Sequence, residues 1–499
     1  MAWPSIVLWF DNLAGVNTQQ IDDLEQRPEG VEFAVLNNAI PDPPGNLVTS
    51  PGFSKVRSTA ILNGPPITGM FHGGDLADIF VIGNGTTGDI AFDTANPPVD
   101  NTSGTNFTTG ANALLRADFH ENLMIIVSNA RDLPQTVNAS SVRADLGGTP
   151  PYGIDYKVLA QRGIMFSPLH GGVTYRGLAS FNSARNDHDA WTLPVTTNAL
   201  NFSKYEGDAT VLGGEYFQDH VIAFTKDAAY PIYPTDTADS PFGLQQAVFN
   251  ERGGGPPNIH AVVAANDRLY WISRNFDVKM MLTDRTVKSI GLPVQPFLRG
   301  LNDSRRIYTV GGWEPQYRLV VWAVSDGSDT QNKDCLILHV DTGRFYFRTI
   351  SRNAFANRSV SGELRLIGGG YSGFFYNEFD SSTTGDLDNS ASAIDADLQG
   401  PRHHLGLPGM IKKGVIMAVI FDPIGSETVT VQGNYDDETA FTSLNTTVSM
   451  TGTDHKISYF RLSPFEYFQP RFRDAISGER FRVLKYGFSR PTSTWPRFT

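Results

Sequence analysis

The sequence is poor in cysteine and has no long apolar run. Its single cysteine, Cys335, lies in an apolar stretch, so no disulfide can form within the chain and packing alone must hold the fold. We interpret Cys335 as a small buried apolar residue on a strand. No stretch approaches the roughly 20 apolar residues of a membrane helix. The first ten residues lack a basic segment and are interrupted by Pro4. We therefore predict no signal peptide, no membrane insertion and synthesis as a soluble protein in a cytoplasm.

Basic residues are outnumbered by acidic ones. The chain has 40 Lys and Arg against 52 Asp and Glu, which gives a formal net charge of −12. Proteins that wrap nucleic acid by neutralising its phosphates present clustered Lys and Arg, so the balance argues against that mode of binding. It does not exclude a conduit through which DNA passes, because a strongly basic wall would hinder movement.

Signatures of catalysis and of metal binding are also lacking. The sequence contains no HExxH, CxxC or P-loop motif. His403 and His404 are adjacent, but neighbouring side chains on a strand point to opposite faces, so a shared metal is not implied. The glycine clusters at residues 253–255 and 368–370 match no dinucleotide fingerprint and are interpreted as loop or bulge glycines. We predict no enzyme activity, no catalytic residue, no cofactor and no metal.

What the sequence does contain is a repeated β-hairpin. In residues 219–234 an apolar strand, a short polar turn and a second apolar run form one such unit. Similar hairpins recur about every 45 to 50 residues, with first strands centred near residues 80, 125, 175, 222, 271, 321 and 366. One propeller blade uses about this much chain. The sequence therefore predicts an all-β protein with a six- or seven-bladed β-propeller, and Trp271 and Trp322 are expected to pack between its blades.

The repeats do not cover the ends of the chain. Residues 1–60 carry turn signals and a weak helical signal at residues 30–37, and are predicted to form an extended arm that closes the ring or reaches a neighbouring subunit. Residues 61–385 are predicted to form the propeller. The polar segment 379–390 is interpreted as a linker. Residues 386–499 are predicted to form a C-terminal antiparallel β-sandwich, although some of their strands could instead complete a last blade.

Several phrases occur in an order that resembles a known family. They are AGVNT at residues 14–18, LNNA at residues 36–39 and SPGF at residues 50–53, followed by FNSARNDHDAWT at residues 181–192 and EYFQDHVIAFTKDAAYPI at residues 215–232. This order resembles virion proteins of short-tailed phages, of the tail nozzle, tail hub or head-to-tail stabilisation type. The resemblance covers about residues 10–375.

The resemblance implies a structural protein of the virion tail, with no catalytic residue to carry over. Its subunits would form a ring, usually a hexamer, that extends the DNA-ejection channel below the portal and adaptor and anchors tail fibres. The implied partners are further copies of the chain, the portal and adaptor proteins, and fibre or plug proteins. Genomic DNA would pass through the channel without sequence-specific binding.

An enzymatic alternative depends on carboxylates. Glycoside hydrolysis needs two carboxylates that face each other across a sugar. The candidate pairs are Asp187 with Asp189, Asp326 with Asp329, and Asp395 with Asp397. We interpret each pair as a solvated turn, because the sialidase-type repeat is absent, as are the WD and kelch signatures. A propeller glycosidase or a carbohydrate-binding module acting on host surface polysaccharide remains the alternative function.

Overall fold

The computed structural model describes most of the chain. The described residues are 6–10, 13–16, 22–23, 31–33, 35–42, 46–72, 80–182, 184–192, 194–207, 209–235, 237, 240–360, 362–380, 385–386, 392–393, 396–405, 409–423, 428–436, 438, 440–444, 447–450, 454–474, 481–490 and 492–494. Strands hold 52% of the residues and helices 4%, so the predicted all-β class is confirmed. Helical turns occur at Phe202–Lys204, Ile259–Ala261, Leu292–Val294, Gln295–Gly300 and Arg306–Tyr308.

Four-stranded antiparallel sheets, numbered I to VII here, follow one another along the chain. Sheet I contains Ile67–His72, Phe80–Asn84, Ile90–Phe92 and Val99–Asn101. Sheet II contains Leu115–His120, Leu123–Ser128, Gln135–Asn138 and Arg143–Asp145. Sheet III contains Asp155–Leu159, Arg162–Phe166, Leu178–Phe181 and Ala199–Asn201. A small hairpin, Leu169–His170 with Val173–Thr174, is inserted in sheet III.

The remaining sheets repeat the same meander. Sheet IV contains Val211–Phe217, His220–Thr225, Ala228–Pro234 and Phe242–Leu244, with Phe249–Asn250 added at its third strand. Sheet V contains Val262–Ala265, Arg268–Ile272, Val278–Met281 and Val287–Ser289. Sheet VI contains Val310–Glu314, Leu319–Val324, Asp334–His339 and Arg344–Thr349. Sheet VII contains Ala354–Val360, Glu363–Gly369, Phe375–Asp380 and the N-terminal strand Gly52–Lys55.

The first strands of these sheets lie side by side around a common axis. Each contacts the first strand of the next sheet, and that of sheet VII contacts that of sheet I, so the ring is closed. Meander sheets arranged radially in a closed ring are the architecture of a β-propeller. There is little room for side chains near the axis. A Cβ added to Gly69 would lie 2.9 Å from Leu115 Cβ, and one added to Gly214 would lie 2.6 Å from Val221 Cγ1.

The apolar interior lies between successive sheets. Trp271 and Trp322 are fully buried, as expected for residues packed between blades. The Trp322 indole Nε1 donates a 2.9 Å hydrogen bond to the Ala261 carbonyl at the start of sheet V, so it joins sheet VI to sheet V. Cys335 is a free, buried thiol on the strand Asp334–His339, as predicted. Among the described residues, none of the helices has the length and hydropathy needed to span a bilayer.

Strands of the N-terminal segment pair both with the propeller and with the C-terminal region. The helical signal at residues 30–37 is wrong, since Val31–Phe33 and Val35–Asn37 are strands. Val35–Asn37 pairs with Arg344–Thr349 of sheet VI on one side and with Ala396–Gln399 on the other. Backbone partners on both sides favour an extended chain over a helix. Most of the predicted linker, residues 381–384 and 387–390, lies outside the described residues.

Two sheets account for most of the C-terminal region. The first contains Ile6–Phe10, Ala39–Pro41, Leu47–Thr49, Ile416–Pro423, Lys456–Arg461 and Phe481–Ser489. The second continues from sheet VI through Val35–Asn37, Ala396–Gln399, Phe468–Asp474 and Thr428–Tyr435. Buried aromatic side chains, among them Phe421, Phe472 and Tyr486, join them to one core.

Short strand pairs lie beside these sheets. Leu13–Val16 pairs with Val31–Phe33, Asp22–Asp23 with Arg402–His403, Gly385–Asp386 with Ser392–Ala393, and Ile411–Lys413 with Thr492–Thr494. Thr442–Ser443 and Val448–Ser449 both pair with Thr428–Tyr435.

Candidate functional site: the central cavity

The described carboxylates singled out in the sequence lie in separate parts of the fold. Asp187 and Asp189 are exposed in the loop between the third and fourth strands of sheet III. Asp329 forms an ion pair with Lys333 at 2.6 Å, and Asp326 is exposed nearby. In the C-terminal region Asp397 accepts two 2.7 Å hydrogen bonds from Arg471, while Asp395 lies outside the described residues.

The adjacent histidines are separated by their environments. His403 is buried, and its Nε2 lies 3.0 Å from the Tyr486 hydroxyl between the rings of Phe10 and Phe488. Burial, with His404 adding to it, lowers the pKa of His403 to about 3, so the ring is neutral. In the described part of the chain, no group of three or more His, Cys, Asp or Glu side chains could hold a metal ion.

A cavity of about 190 Å³ lies on the propeller axis and is lined by the first strands of the sheets or by residues next to them; we call it the central cavity. One wall is polar, and includes Thr68, Arg116, Lys157, Glu215, His260 and Asn353. The other lining residues are apolar, namely Met70, Phe71, Val262, Val310, Ala354 and Phe355, and four of these (Met70, Val262, Val310 and Ala354) are buried. The cavity is therefore amphipathic, with its charged groups supplied by sheets II, III and IV.

Three ion pairs organise the polar wall. Arg116 Nε donates to Asp155 Oδ1 at 3.2 Å, and Arg116 Nη2 donates to Glu215 Oε2 at 2.8 Å. Lys157 Nζ lies 3.5 Å from Glu215 Oε1. The second oxygen of Asp155 accepts a 2.8 Å hydrogen bond from the Gly214 amide. Since Asp155 and Glu215 each face Arg116, the network spans three successive sheets.

The cations of the network control the ionisation of Glu215. Burial alone would raise the pKa of Glu215, but Lys157 and Arg116 outweigh it and hold that pKa at about 2. Glu215 is therefore ionised at neutral pH. Arg116 also faces Asp155, and Lys157 also interacts with the carboxyl group of Asp118.

Spare hydrogen-bonding groups remain in this wall. Among the described residues no acceptor is found for Arg116 Nη1, and Lys157 Nζ has only its ion pair to Glu215 and the Tyr216 ring 4.9 Å away. Burial, followed by the nearby Arg116 and Lys157, lowers the pKa of His260 far below its usual value, so His260 is neutral. The wall thus offers N–H donors, carboxylate acceptors and a neutral imidazole.

A second network adjoins the cluster. The Tyr216 hydroxyl hydrogen-bonds Asp118 and also the Val158 carbonyl at 2.7 Å. Asp118 also accepts a 2.8 Å hydrogen bond from the Val158 amide. Burial raises the pKa of Asp118 in spite of these donors and of Lys157. Tyr216 is partly exposed, so this network connects the charged wall to the protein surface.

Sequence reasoning missed the polar wall. Thr68, Arg116, Lys157 and Glu215 lie on the first strands of their sheets, where the apolar alternation is weak, whereas His260 and Asn353 lie just before such strands. The signal that could have found them is a charge at every second position, as in Arg116 and Asp118 or Asp155 and Lys157, which places both members of each pair on one strand face.

Comparisons with known proteins identify no family. No protein-family model matches the chain, and no curated protein matches it. Similar solved structures include BBS1N in complex with ARL6DN, which is 10% identical. The match covers 66% of this chain and 97% of that chain, with a TM-score of 0.41. BamB from Moraxella catarrhalis is 10% identical. The match covers 66% of this chain and 96% of that chain, with a TM-score of 0.36. The N-terminal domain of Nup159 is 8% identical. The match covers 68% of this chain and 98% of that chain, with a TM-score of 0.39.

These three proteins are β-propellers. At such identities and TM-scores they say nothing about the activity of this chain. The description of the fold therefore depends on the strand pairing and on the closed ring of first strands.

Proposed function

We propose that the chain is a structural subunit of a phage tail nozzle or hub, with a seven-bladed propeller and a C-terminal β-sandwich. In this role the subunits assemble into a ring, usually a hexamer, below the portal and adaptor. The ring extends the DNA-ejection channel and presents loops to tail fibres or a plug. The subunit acts mechanically, as a virion component made in the host cytoplasm.

The observation that carries this proposal is the position of the SPGF phrase, which is part of the family resemblance. Its Gly52 and Phe53 begin the strand that completes sheet VII. The Pro51 carbonyl accepts a 3.1 Å hydrogen bond from Arg348 Nη2, and the Phe53 ring lies 4.6 Å from the Arg352 guanidinium. The phrase therefore has a structural task, closing the ring, which supports a structural family.

The core around this phrase contains two arginines and one glutamate. Arg348 and Arg352 are both buried, and both donate to the buried Glu378, Arg348 at 3.1 Å. Removing one partner of such a buried network is costly, because the remaining charge is left without compensation.

DNA would have to pass between subunits in such an assembly. The central cavity, with a volume of about 190 Å³, is too small to admit duplex DNA. The major groove of B-DNA alone is about 12 Å wide. The Arg116–Glu215 ion pair is part of the cavity lining. The channel proposed here is therefore the axis of the oligomer, lined by outer loops of each propeller.

Electron microscopy of the purified protein, with and without a virion lysate fraction, tests the proposal. We expect rings with a central hole, or density in the tail below the capsid vertex. Size-exclusion chromatography with light scattering at several protein concentrations supplies the mass. A particle that stays monomeric even with its portal-side partner present contradicts the proposal.

The alternative of a carbohydrate-binding module retains one supporting observation, the charged wall of the central cavity. Hydrolysis is less well supported there. Glu215 is ionised, and Asp155 is occupied by Arg116 and the Gly214 amide. Glycoside hydrolysis also requires a protonated carboxylic acid beside the scissile bond.

A further inference from the structure

We propose that the outward face of the first C-terminal sheet docks on the propeller of a second copy of this chain. This face presents Ile416, Ile420, Ile457, Tyr459 and Arg461, and we call it the C-terminal patch. The inference rests on the proposed ring of subunits, because it names one of the surfaces through which neighbouring subunits touch. It follows from the exposure of apolar side chains, from the strand register and from the distribution of charge along the chain.

The strand Lys456–Arg461 has a core side and an outer side. Phe460 belongs to the hydrophobic core and is 5% exposed. Side chains alternate along a strand, so Ile457, Tyr459 and Arg461 face away from that core. Ile457 is 52% exposed and Tyr459 is 38% exposed. Two large apolar side chains are thus presented to solvent by one strand.

The neighbouring strand Ile416–Pro423 extends the same face. In the antiparallel register Ile420 lies opposite Ile457, and Ile416 lies opposite Arg461. Opposite residues of an antiparallel pair have their side chains on one side of the sheet. Both isoleucines of this strand are half-buried. Exposed apolar residues that stand singly are normal, whereas contiguous ones mark contact surfaces, and these side chains are contiguous across two strands.

The patch itself is flanked by cations. Arg461 is exposed at one end, and Lys485 lies opposite Ile420 at the other end. Asp422 follows on the same strand face, but Arg482 Nη1 already donates to it at 2.7 Å. The patch therefore attracts acidic groups from a partner.

The distribution of charge along the chain identifies that partner. Lys and Arg outnumber Asp and Glu in residues 396–499, whereas Asp and Glu outnumber Lys and Arg in residues 61–385. The C-terminal patch is therefore complementary to the propeller of another copy, while two patches facing each other would bring like charges together. Rings close through head-to-tail contacts in which unlike surfaces meet, and a patch against a propeller is such a contact.

Sedimentation velocity over a range of protein concentrations tests the proposal. Ile457→Asp and Arg461→Glu should each weaken self-association about tenfold or more, since each places a carboxylate in the contact. Association of the wild type should also weaken as salt is raised. Thr442→Asp is the matched control, because Thr442 is an exposed strand residue of the second C-terminal sheet, and it should associate as the wild type does. Circular dichroism and thermal unfolding first establish that each variant is folded.

Hydrogen exchange of the assembled and the dilute protein identifies the two surfaces. We expect assembly to protect the strand Lys456–Arg461 together with a segment within residues 61–385. Protection confined to the C-terminal region overturns the propeller as partner. If rings form and both patch variants assemble as the wild type does, this inference fails while the proposed ring stands. A wild type that stays monomeric at every concentration, even with its portal-side partner present, overturns both.

Discussion

Arg305 Nη1 donates a 2.6 Å hydrogen bond to Asn112 Oδ1, although 193 positions separate the two residues in sequence. Asn112 precedes the first strand of sheet II, and Arg305 lies between sheets V and VI. In the ring of first strands, sheet VI stands three places from sheet II, across the axis. The bond therefore joins opposite sides of the propeller at the end where the first strands begin.

A double-mutant cycle measures this link. Arg305→Ala and Asn112→Ala should each lower the free energy of unfolding, and the double variant should lose less than their sum because both remove one bond. We expect a coupling of about 0.5 to 1.5 kcal/mol, since the bond is accessible to water. Urea denaturation supplies the values. Additive losses would contradict the link, and Arg299→Ala on the preceding helix is the control.

Phe53→Ala should open the ring. Phe53 is 4% exposed and lies under the Arg352 guanidinium, with the Tyr376 ring 5.3 Å away. Loss of a buried phenylalanine costs about 3 to 5 kcal/mol. Urea denaturation should show this loss, and hydrogen exchange should rise in the strand Phe375–Asp380. Leu62→Ala, at a side chain 65% exposed, should change little. Equal effects of the two substitutions would exclude a ring-closing role.

The hairpin period predicted most of the sheets, but one of them only in part. Predicted first strands near residues 222, 271, 321 and 366 match the second strands of sheets IV to VII. In sheet III the pattern near residue 175 falls on the inserted hairpin, whose Val173–Thr174 resembles a blade strand in sequence. The true second strand, Arg162–Phe166, was missed because the inserted hairpin and the blade hairpin show the same apolar pattern within one repeat.

The cavity could not be predicted because the first strands are weak in pattern. Near the axis a side chain has little room, so residues such as Gly69 and Gly214 replace the apolar residues that mark a strand. The N-terminal strands were equally hard to assign. Val35–Asn37 is fixed by partners more than 300 residues away in sheet VI, and no local signal reports such pairing.

Glu314 should make stability fall as pH rises. Burial raises its pKa to about 7, in spite of hydrogen bonds from the Leu366 and Gln316 amides. The unfolded chain loses this proton near pH 4.5 and the folded chain near pH 7, so between these values the folded state binds more protons. The contribution of Glu314 is therefore complete below pH 4.5 and is lost as pH rises through 7.

Glu314→Gln isolates this effect. A glutamine oxygen can accept only from one of the two amides, which lowers stability by a constant amount. The pH-dependent part is absent from the variant, so the wild type should lose on the order of 3 kcal/mol relative to it between pH 4.5 and pH 8. Urea denaturation at several pH values gives both curves. If the two curves run parallel, Glu314 titrates normally in the folded protein.

Two aspartates that the sequence left equivalent should differ in their effect on stability. Asp397 is held by Arg471 through two 2.7 Å hydrogen bonds, and each side chain is 19% exposed. Asp329 pairs with Lys333, which is 54% exposed. Because water screens the second pair but not the first, Asp397→Asn should lower the free energy of unfolding by about 2 kcal/mol. Asp329→Asn should have no measurable effect. Equal losses from the two substitutions would show that the bidentate pair adds nothing to the stability of the C-terminal region.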